Sequence, residues 1–446
     1  MWYVISFVKH TFIFSALLVL QLPNTFFIIK IFLLLYSFPY LVIAFFKSRF
    51  YHKSLLIIAI QDFGIGMIKL GQFLATRSDI VGEKTAKILQ DLHENLSPCR
   101  RSKIIKNAPN IIIKDVIATA SIAQVHMGLL NDSTVVAVKM IKPGIAEQIE
   151  IQTNTMYLFT RIICFFSRKI KKLDILTIVT EISRYLKMET NLQMEAAAID
   201  SFKQRFAGDS NIYVPKVYWQ FVTENCLVIE WIDGFTLNKY NELNKLSPLL
   251  RRKIANDLLI FFLKQIYEDG IFQADPHQGN FIITKDYKIA VVDFGRVGFL
   301  NKRERSFVTQ ILHGFLTKDY KKVAEIHMQA GYVPKNIDIF LFEMSCRVIG
   351  EKIIGKNLDQ IKVGEVFGHV LNMALQFEMK TQKSLVLFQK TIVMLEGLLF
   401  YIDPKFNAWE TAKPWMEEYI KKEYSYKNIF LENFETIKDK ILSCIL

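Results

Sequence analysis

Three oxygen-bearing side chains, Asp275, Asn280 and Asp293, stand in the stretch FQADPHQGNFIITKDYKIAVVDFG, residues 272–295, close to strongly apolar runs. An ionised carboxylate buried without a partner is costly, so these groups either face water or hold a cation. The spacing favours the cation. Mg²⁺ takes oxygen ligands and bridges phosphates, and a carboxylate and a neutral amide oxygen at the ends of a short β-hairpin suit it. The segment from Asn280 to Gly295 reads as such a hairpin.

Upstream, VVAVKM places Lys139 on a strand after apolar alternation. A buried lysine needs a counter-charge. Glu195, in NLQMEAAAI, is the candidate, because it sits mid-helix among alanines that permit close packing on a sheet; Glu189 and Glu181 are the alternatives. The order of these residues resembles that of protein kinases, in which a strand lysine, a catalytic-loop Asp with an Asn five positions on, and the Asp of D-F-G bind the nucleotide and its metal. By that resemblance Asp275 belongs to the catalytic loop, Asn280 and Asp293 to the metal, and LVIEWIDG joins two lobes, with backbone groups of Glu230 to Ile232 facing an adenine edge. Taken singly, D-F-G or A-V-K is usually an ordinary strand end, and His277 an ordinary hydrogen-bonded histidine. Three elements in order with matching spacings are far rarer by chance.

One departure is informative. Kinases cover the phosphates with a glycine-rich loop, whereas ATASIAQVHMG precedes Lys139 here, with alanines and a serine in place of glycines. Alanine disfavours positive φ and sets methyl groups beside the phosphates. Together with K-L-G-Q at 69–72 and D-P-H-Q-G-N at 275–280, this resembles the UbiB family of atypical kinase-like proteins of ubiquinone biosynthesis. The resemblance runs from about residue 55 to 415. It implies that Ala118, Ala120 and Ser121 line the nucleotide loop, that Lys139 contacts the phosphates and pairs with Glu195, and that Lys69 and Gln72 lie on a helix covering the cleft. Members usually carry E-x-D before the helix glutamate, whereas this chain has Glu189-Thr190-Asn191 and so lacks the second charge. Many members also hold their hydrophobic anchor at the C-terminus.

Here the apolar excess lies at the other end. Residues 11–29 and 31–46 carry no charge, and a membrane-crossing helix needs about 20 mainly apolar residues. Lys9 and His10 before these runs, and Lys47, Arg49, His52 and Lys53 after them, suggest a hairpin or a re-entrant anchor with both flanks cytoplasmic and Lys30 near its turn. The alternative is an apolar helical pair packed on the rest of the protein at the membrane surface. The run is too long for a signal peptide and lacks a small-residue cleavage site.

The elements that must position these residues follow from periodicity. Residues 1–53 read as the membrane anchor, 54–109 as a helical extension carrying K-x-G-Q, 110–235 as a β-rich small lobe and 236–446 as a helical large lobe. Within the small lobe, Asn131-Asp132-Ser133 reads as a turn between strands, and IYVPKVYWQFV and CLVIEWIDG as further strands. In the large lobe Ser247 and Pro248 start a helix that Gly270 ends. The expected class is α+β, a bilobal protein-kinase-like fold.

A chain of 446 residues has room for two cores. Its 51% hydrophobic content and 36 phenylalanines point to a membrane or a large apolar surface, and its net charge of +13 to an anionic partner. No RNA-binding signature, helix-turn-helix or aromatic-interleaved basic stripe is present, so lipid headgroups are expected rather than nucleic acid. The five scattered cysteines contain no C-x-x-C pair and indicate neither a disulfide framework nor a zinc site.

The expected activity is that of an atypical kinase or ATPase binding Mg-ATP and supporting ubiquinone production at the inner face of a bacterial membrane. Asp275 would orient or deprotonate an acceptor, which is water, a lipid-like quinone precursor or a protein. A protein kinase regulating a pathway enzyme and a nucleotide-gated scaffold presenting quinone precursors are the rival readings.

Overall fold

The computed structural model describes residues 111–119, 122–166, 190–334, 336–354 and 383–423, with shorter stretches between 57 and 89 and positions among 176–187 and 373–379. The expected anchor, residues 1–53, lies outside the described residues. Among the described residues no helix is long and apolar enough to cross a membrane. Two compact units fall within Met1–Ala197 with Lys216–Trp231 and within Ala198–Pro215 with Ile232–Leu446.

In chain order the helices are α1 (Glu83–Leu89), α2 (Ile145–Phe166), α3 (Leu192–Arg205), α4 (Tyr240–Lys245), α5 (Pro248–Leu263), α6 (Lys302–Leu316), α7 (Tyr320–Gln329), α8 (Ile339–Ile353), α9 (Lys383–Ile402) and α10 (Ala408–Glu423). The strands are β1 (Ile112–Thr119), β2 (Ala123–Leu129), β3 (Val135–Ile141), β4 (Ile212–Tyr213), β5 (Cys226–Glu230), β6 (Gly234–Thr236), β7 (Ile271–Gln273), β8 (Phe281–Thr284), β9 (Ile289–Val291) and β10 (Val297–Phe299).

The first unit holds an antiparallel sheet in the order β1-β2-β3-β5. Strand alternation explains its two faces. Val136, Val138 and Met140 of β3 join Cys226 and Val228 of β5 and Ile113 of β1 in one apolar cluster. Fully burying each of the larger apolar side chains stabilises by about 1.5–3 kcal/mol. Lys139 lies between Val138 and Met140 and points to the opposite face. Ser133 closes the β2–β3 turn with φ of 66°, a left-handed position. The glutamine Gln152 of α2 accepts 2.9 Å from the N–H of Gly66, tying α2 to the helical stretch before K-x-G-Q.

The second unit contains a sheet in the order β4-β9-β8-β6 and a separate β7–β10 ribbon. Ser247 caps α5, its hydroxyl accepting from the N–H of Leu250 at 3.3 Å, with Pro248 in the first turn. A π-helical turn, Lys264–Asp269, follows, and Gly270 ends it at φ 69°. Asn301 and Glu304 form a reciprocal capping box on α6, each bond 2.9 Å. A second core gathers Tyr320, Val323, Phe342 and Cys346 from α7 and α8. Helix α10 folds back on α5 and the π turn, Thr411 donating to Asn256 of α5 at 2.8 Å and Tyr419 to the carbonyl of Tyr267 in the π turn at 2.5 Å.

One strand expectation fails. Of IYVPKVYWQFV only the two residues of β4 form a strand, Val217 makes an isolated antiparallel bridge to Ile229 of β5, and Trp219–Phe221 forms a 3-10 turn. Pro215 interrupts the run, lacking the N–H that a ladder needs.

Candidate functional site

Lys139 sits in β3, in register with Val125 of β2 and Leu227 of β5. Its ammonium donates to both carboxylate oxygens of Glu195, at 2.6 and 2.9 Å. The lysine side chain is 16% exposed and that of the glutamate 5%, so the pair is largely withdrawn from water. Glu195 lies in the first turn of α3, where the helix dipole favours a carboxylate, and the fully buried Ala196 beside it allows close packing. Asn191, standing where a second acid was expected, accepts from the N–H of Gln193 at 3.0 Å, an ordinary neutral cap for α3.

Ala118 is exposed on β1, which has register shifts before it. Ala120 and Ser121 lie outside the described residues, as do Lys69, Gln72, Glu181 and Glu189. Glu230 ends β5; its N–H donates to the carbonyl of Lys216 at 2.9 Å and its carboxylate accepts from the N–H of Lys216 at 3.0 Å. Ile232 is half-buried and makes no backbone hydrogen bond among the described residues.

In the second unit, two pairings set the remaining residues. The β7–β10 ribbon aligns Gln273 with Val297, and the N–H of Ala274 donates to the carbonyl of Arg296 at 2.8 Å. The β8–β9 hairpin aligns Phe281 with Val291, and the N–H of Val292 donates to the carbonyl of Asn280 at 3.0 Å. Asp275, Asn280 and Asp293 therefore occupy loops that leave these two pairings side by side. Phe294 is fully buried, its ring 4.5 Å from that of Phe202 on α3.

Asn280 is 4% exposed and donates from Nδ2 to the carbonyl of Asp275 at 2.9 Å. Its amide oxygen is the atom left to accept or to ligate. Asp293 takes the N–H of Gly295 on Oδ1 at 2.9 Å, and Asp275 is half-buried with its carbonyl accepting from the N–H of His277 at 2.8 Å. His277 is exposed, and its Nδ1 accepts from the N–H of Gly279 at 3.0 Å, holding the turn between Asp275 and Asn280. No cluster of three or more His, Cys, Asp or Glu suited to a metal occurs among the described residues. A carboxylate with an amide oxygen nevertheless fits Mg²⁺, which keeps several waters and takes phosphate oxygens for the rest.

Residues 110–327 match the ABC1 atypical kinase-like domain, and residues 346–407 the UbiB helical domain. Probable protein kinase UbiB of Azotobacter vinelandii is 31% identical over 393 residues, covering 85% of this chain and 73% of the relative. The chain belongs to the UbiB family. Probable protein kinase UbiB of Aliivibrio fischeri is likewise 31% identical, over 397 residues, covering 84% of this chain and 73% of the relative. A Mycobacterium tuberculosis protein solved as a complex with erythromycin shares the fold, with a TM-score of 0.57 and 20% identity over 83% of this chain and 97% of that one.

Two residues of this UbiB-family chain escape a reading of the sequence. Thr391 of α9, inside the UbiB helical domain, donates to the carbonyl of Leu387 at 2.8 Å and lies 3.4 Å from that of Ala274, next to Asp275. Gln273, 1% exposed, donates from Nε2 to the carbonyls of Asp275 at 3.0 Å and Asp293 at 3.3 Å. Neither carries a local signal, because each contact depends on the pairing of distant segments.

Proposed function

We propose that this chain binds Mg-ATP and works as an atypical kinase or ATPase supporting or regulating aerobic ubiquinone biosynthesis at a membrane. The observation that carries the nucleotide part is the largely buried Lys139–Glu195 pair, made in a chain that also supplies Asn280 and Asp293 in the matching order. Withdrawing two charges from water stabilises a fold poorly, so a pair kept at that position is better explained by a polyphosphate that uses the lysine. Lys139 takes the phosphates, Asn280 and Asp293 would hold Mg²⁺, and backbone groups around Glu230 and Ile232 take the base. When bound, the metal supplies charge neutralisation on the phosphates.

Asp275 orients or deprotonates the acceptor, while Ala118, Ala120 and Ser121 form the loop over the phosphates, and Lys69 and Gln72 belong to a helix that restricts which acceptors enter. Membership of the UbiB family supports the ubiquinone assignment, and the apolar residues 1–53 support anchoring in the inner membrane with the kinase-like part in the cytoplasm. The acceptor of this reading is water or a lipid-like quinone precursor. A second reading, transfer to a protein of the same pathway, is favoured by the name protein kinase given to the relatives.

The test is phosphate release from Mg-ATP by the purified protein in anionic liposomes, wild type against Asp293→Asn. Turnover that the substitution abolishes supports the reading. Binding of ATP without turnover by either protein, even with a phenolic quinone precursor present, would replace it with a nucleotide-gated scaffold.

A further inference from the structure

The side chain of Gln273 is an uneconomical way to fill space. It is 1% exposed, and its Oε1 is a buried acceptor with no hydrogen-bond partner among the described residues. An apolar residue of similar volume would avoid that penalty. What the amide contributes instead is its –NH₂ group, which donates to the carbonyls of Asp275 and Asp293, 3.0 and 3.3 Å away. The opposite orientation of the amide would set its oxygen against two carbonyl oxygens, so the pairing fixes which end points inward.

The surroundings hold this side chain firmly. The backbone N–H of Gln273 donates to Oε1 of Gln265 at 2.8 Å, and Gln265, itself fully buried in the π-helical turn, donates from Nε2 to the carbonyl of Phe261 at 3.0 Å. Insertions of this kind in helices are rare and recur at functional sites. The π turn thus aims one glutamine at another, and the second reaches both loops. A further bond, from Nδ2 of Asn280, ends on the same carbonyl of Asp275.

We propose that Gln273 is a positioning residue that locks the loop of Asp275 to the loop of Asp293 through one side-chain amide, so that acceptor-orienting and metal-holding carboxylates keep a fixed relation. The inference rests on the nucleotide reading above. Because an amide does not titrate, the link is insensitive to pH, and a carboxyl at the same place makes it sensitive. A neutral carboxyl donates one hydrogen bond, whereas a carboxylate donates none and faces carbonyl oxygens. Burial and a hydrogen bond made by the neutral form both raise the pKa of such a group. Activity supported by Gln273→Glu is therefore present at low pH and lost as pH rises through that raised value.

The experiment compares wild type, Gln273→Met and Gln273→Glu in three readouts: ATP binding with the metal chelated, the shift in Tm caused by Mg-ATP, and the Mg²⁺ and pH dependence of turnover. Gln273→Met should bind metal-free ATP like wild type, lose most of the Mg-dependent Tm shift, require more Mg²⁺ for half-maximal turnover and turn over about 10- to 100-fold more slowly, as expected for a displacement of order 1 Å. Gln273→Glu should show an alkaline loss of turnover that wild type lacks, at pH values where its Tm without nucleotide is unchanged, which a purely structural defect would not give. If both variants match wild type in Mg²⁺ dependence and pH profile, the inference falls while the nucleotide reading stands. If Gln273→Met does not fold, the Mg-dependent Tm shift of Gln273→Glu, which loses the –NH₂ donor at nearly the same volume, decides in its place. A wild type that neither gains Tm with Mg-ATP nor turns it over overturns both.

Discussion

At the scale of the residue, the Lys139–Glu195 pair decides most. Each of these largely buried charges satisfies the other, and removing one partner of such a pair costs up to about 3–5 kcal/mol. Lys139→Met should therefore lower stability by about that much, and Lys139→Met with Glu195→Leu should recover most of it. Urea unfolding of the four proteins forms the cycle. Recovery of stability without recovery of nucleotide binding would separate the pair's function from its contribution to the fold. The lysine and its partner can be reasoned out from the sequence because both signals are local: a strand with alternating apolar residues, and a glutamate beside small residues on a helix. Gln273 cannot, since a polar residue after Phe272 looks like any strand end until β7 is paired with β10.

At the scale of the element, that ribbon is what brings the loops of Asp275 and Asp293 to one place. Gly298 makes it possible: a Cβ there would lie 2.2 Å from the ring of the fully buried Phe272. Gly298→Ala should separate β7 from β10, destabilise by about 1–3 kcal/mol as overpacked positions do, and weaken Mg²⁺ dependence together with stability. Denaturant titration alongside the Mg²⁺ response of turnover checks it; full stability with full Mg²⁺ response would show that the ribbon tolerates the methyl group. The β8–β9 hairpin, the Ser247 cap and the stop at Gly270 are legible because turn and cap residues act within a few positions. The segment after β4 is not, since its apolar content matches a strand while Pro215 and the 3-10 turn at Trp219 reduce its pairing to the single bridge of Val217 with Ile229.

At the scale of the whole molecule, the helices after β10 form a core with its own pH dependence. His327 of α7 is buried among Tyr332 and Phe342, and its Nδ1 lies 2.7 Å from the carbonyl of Val323. Burial holds this imidazole below its usual pKa, outweighing that hydrogen bond, which acts the other way. The unfolded chain takes up a proton near pH 6.5 and the folded one does not, so this contribution to stability is present above about pH 6.5 and is lost as pH falls. His327→Phe should flatten the fall in stability between about pH 7 and 5, read by urea unfolding at each pH; an unchanged slope would assign it to other groups. Further along the chain, Thr391 of α9 lies beside the carbonyl of Ala274, next to Asp275. The UbiB helical domain thus contacts the loop of Asp275, a link that periodicity alone does not reveal.

Use of a metal-bound nucleotide by this chain is read by calorimetric titration with ATP, with and without Mg²⁺. Mg²⁺ should tighten binding to wild type, Asp293→Asn should remove the gain, and Lys139→Met should weaken binding in both conditions. ATP binding that is the same with and without Mg²⁺, and indifferent to both substitutions, would contradict it.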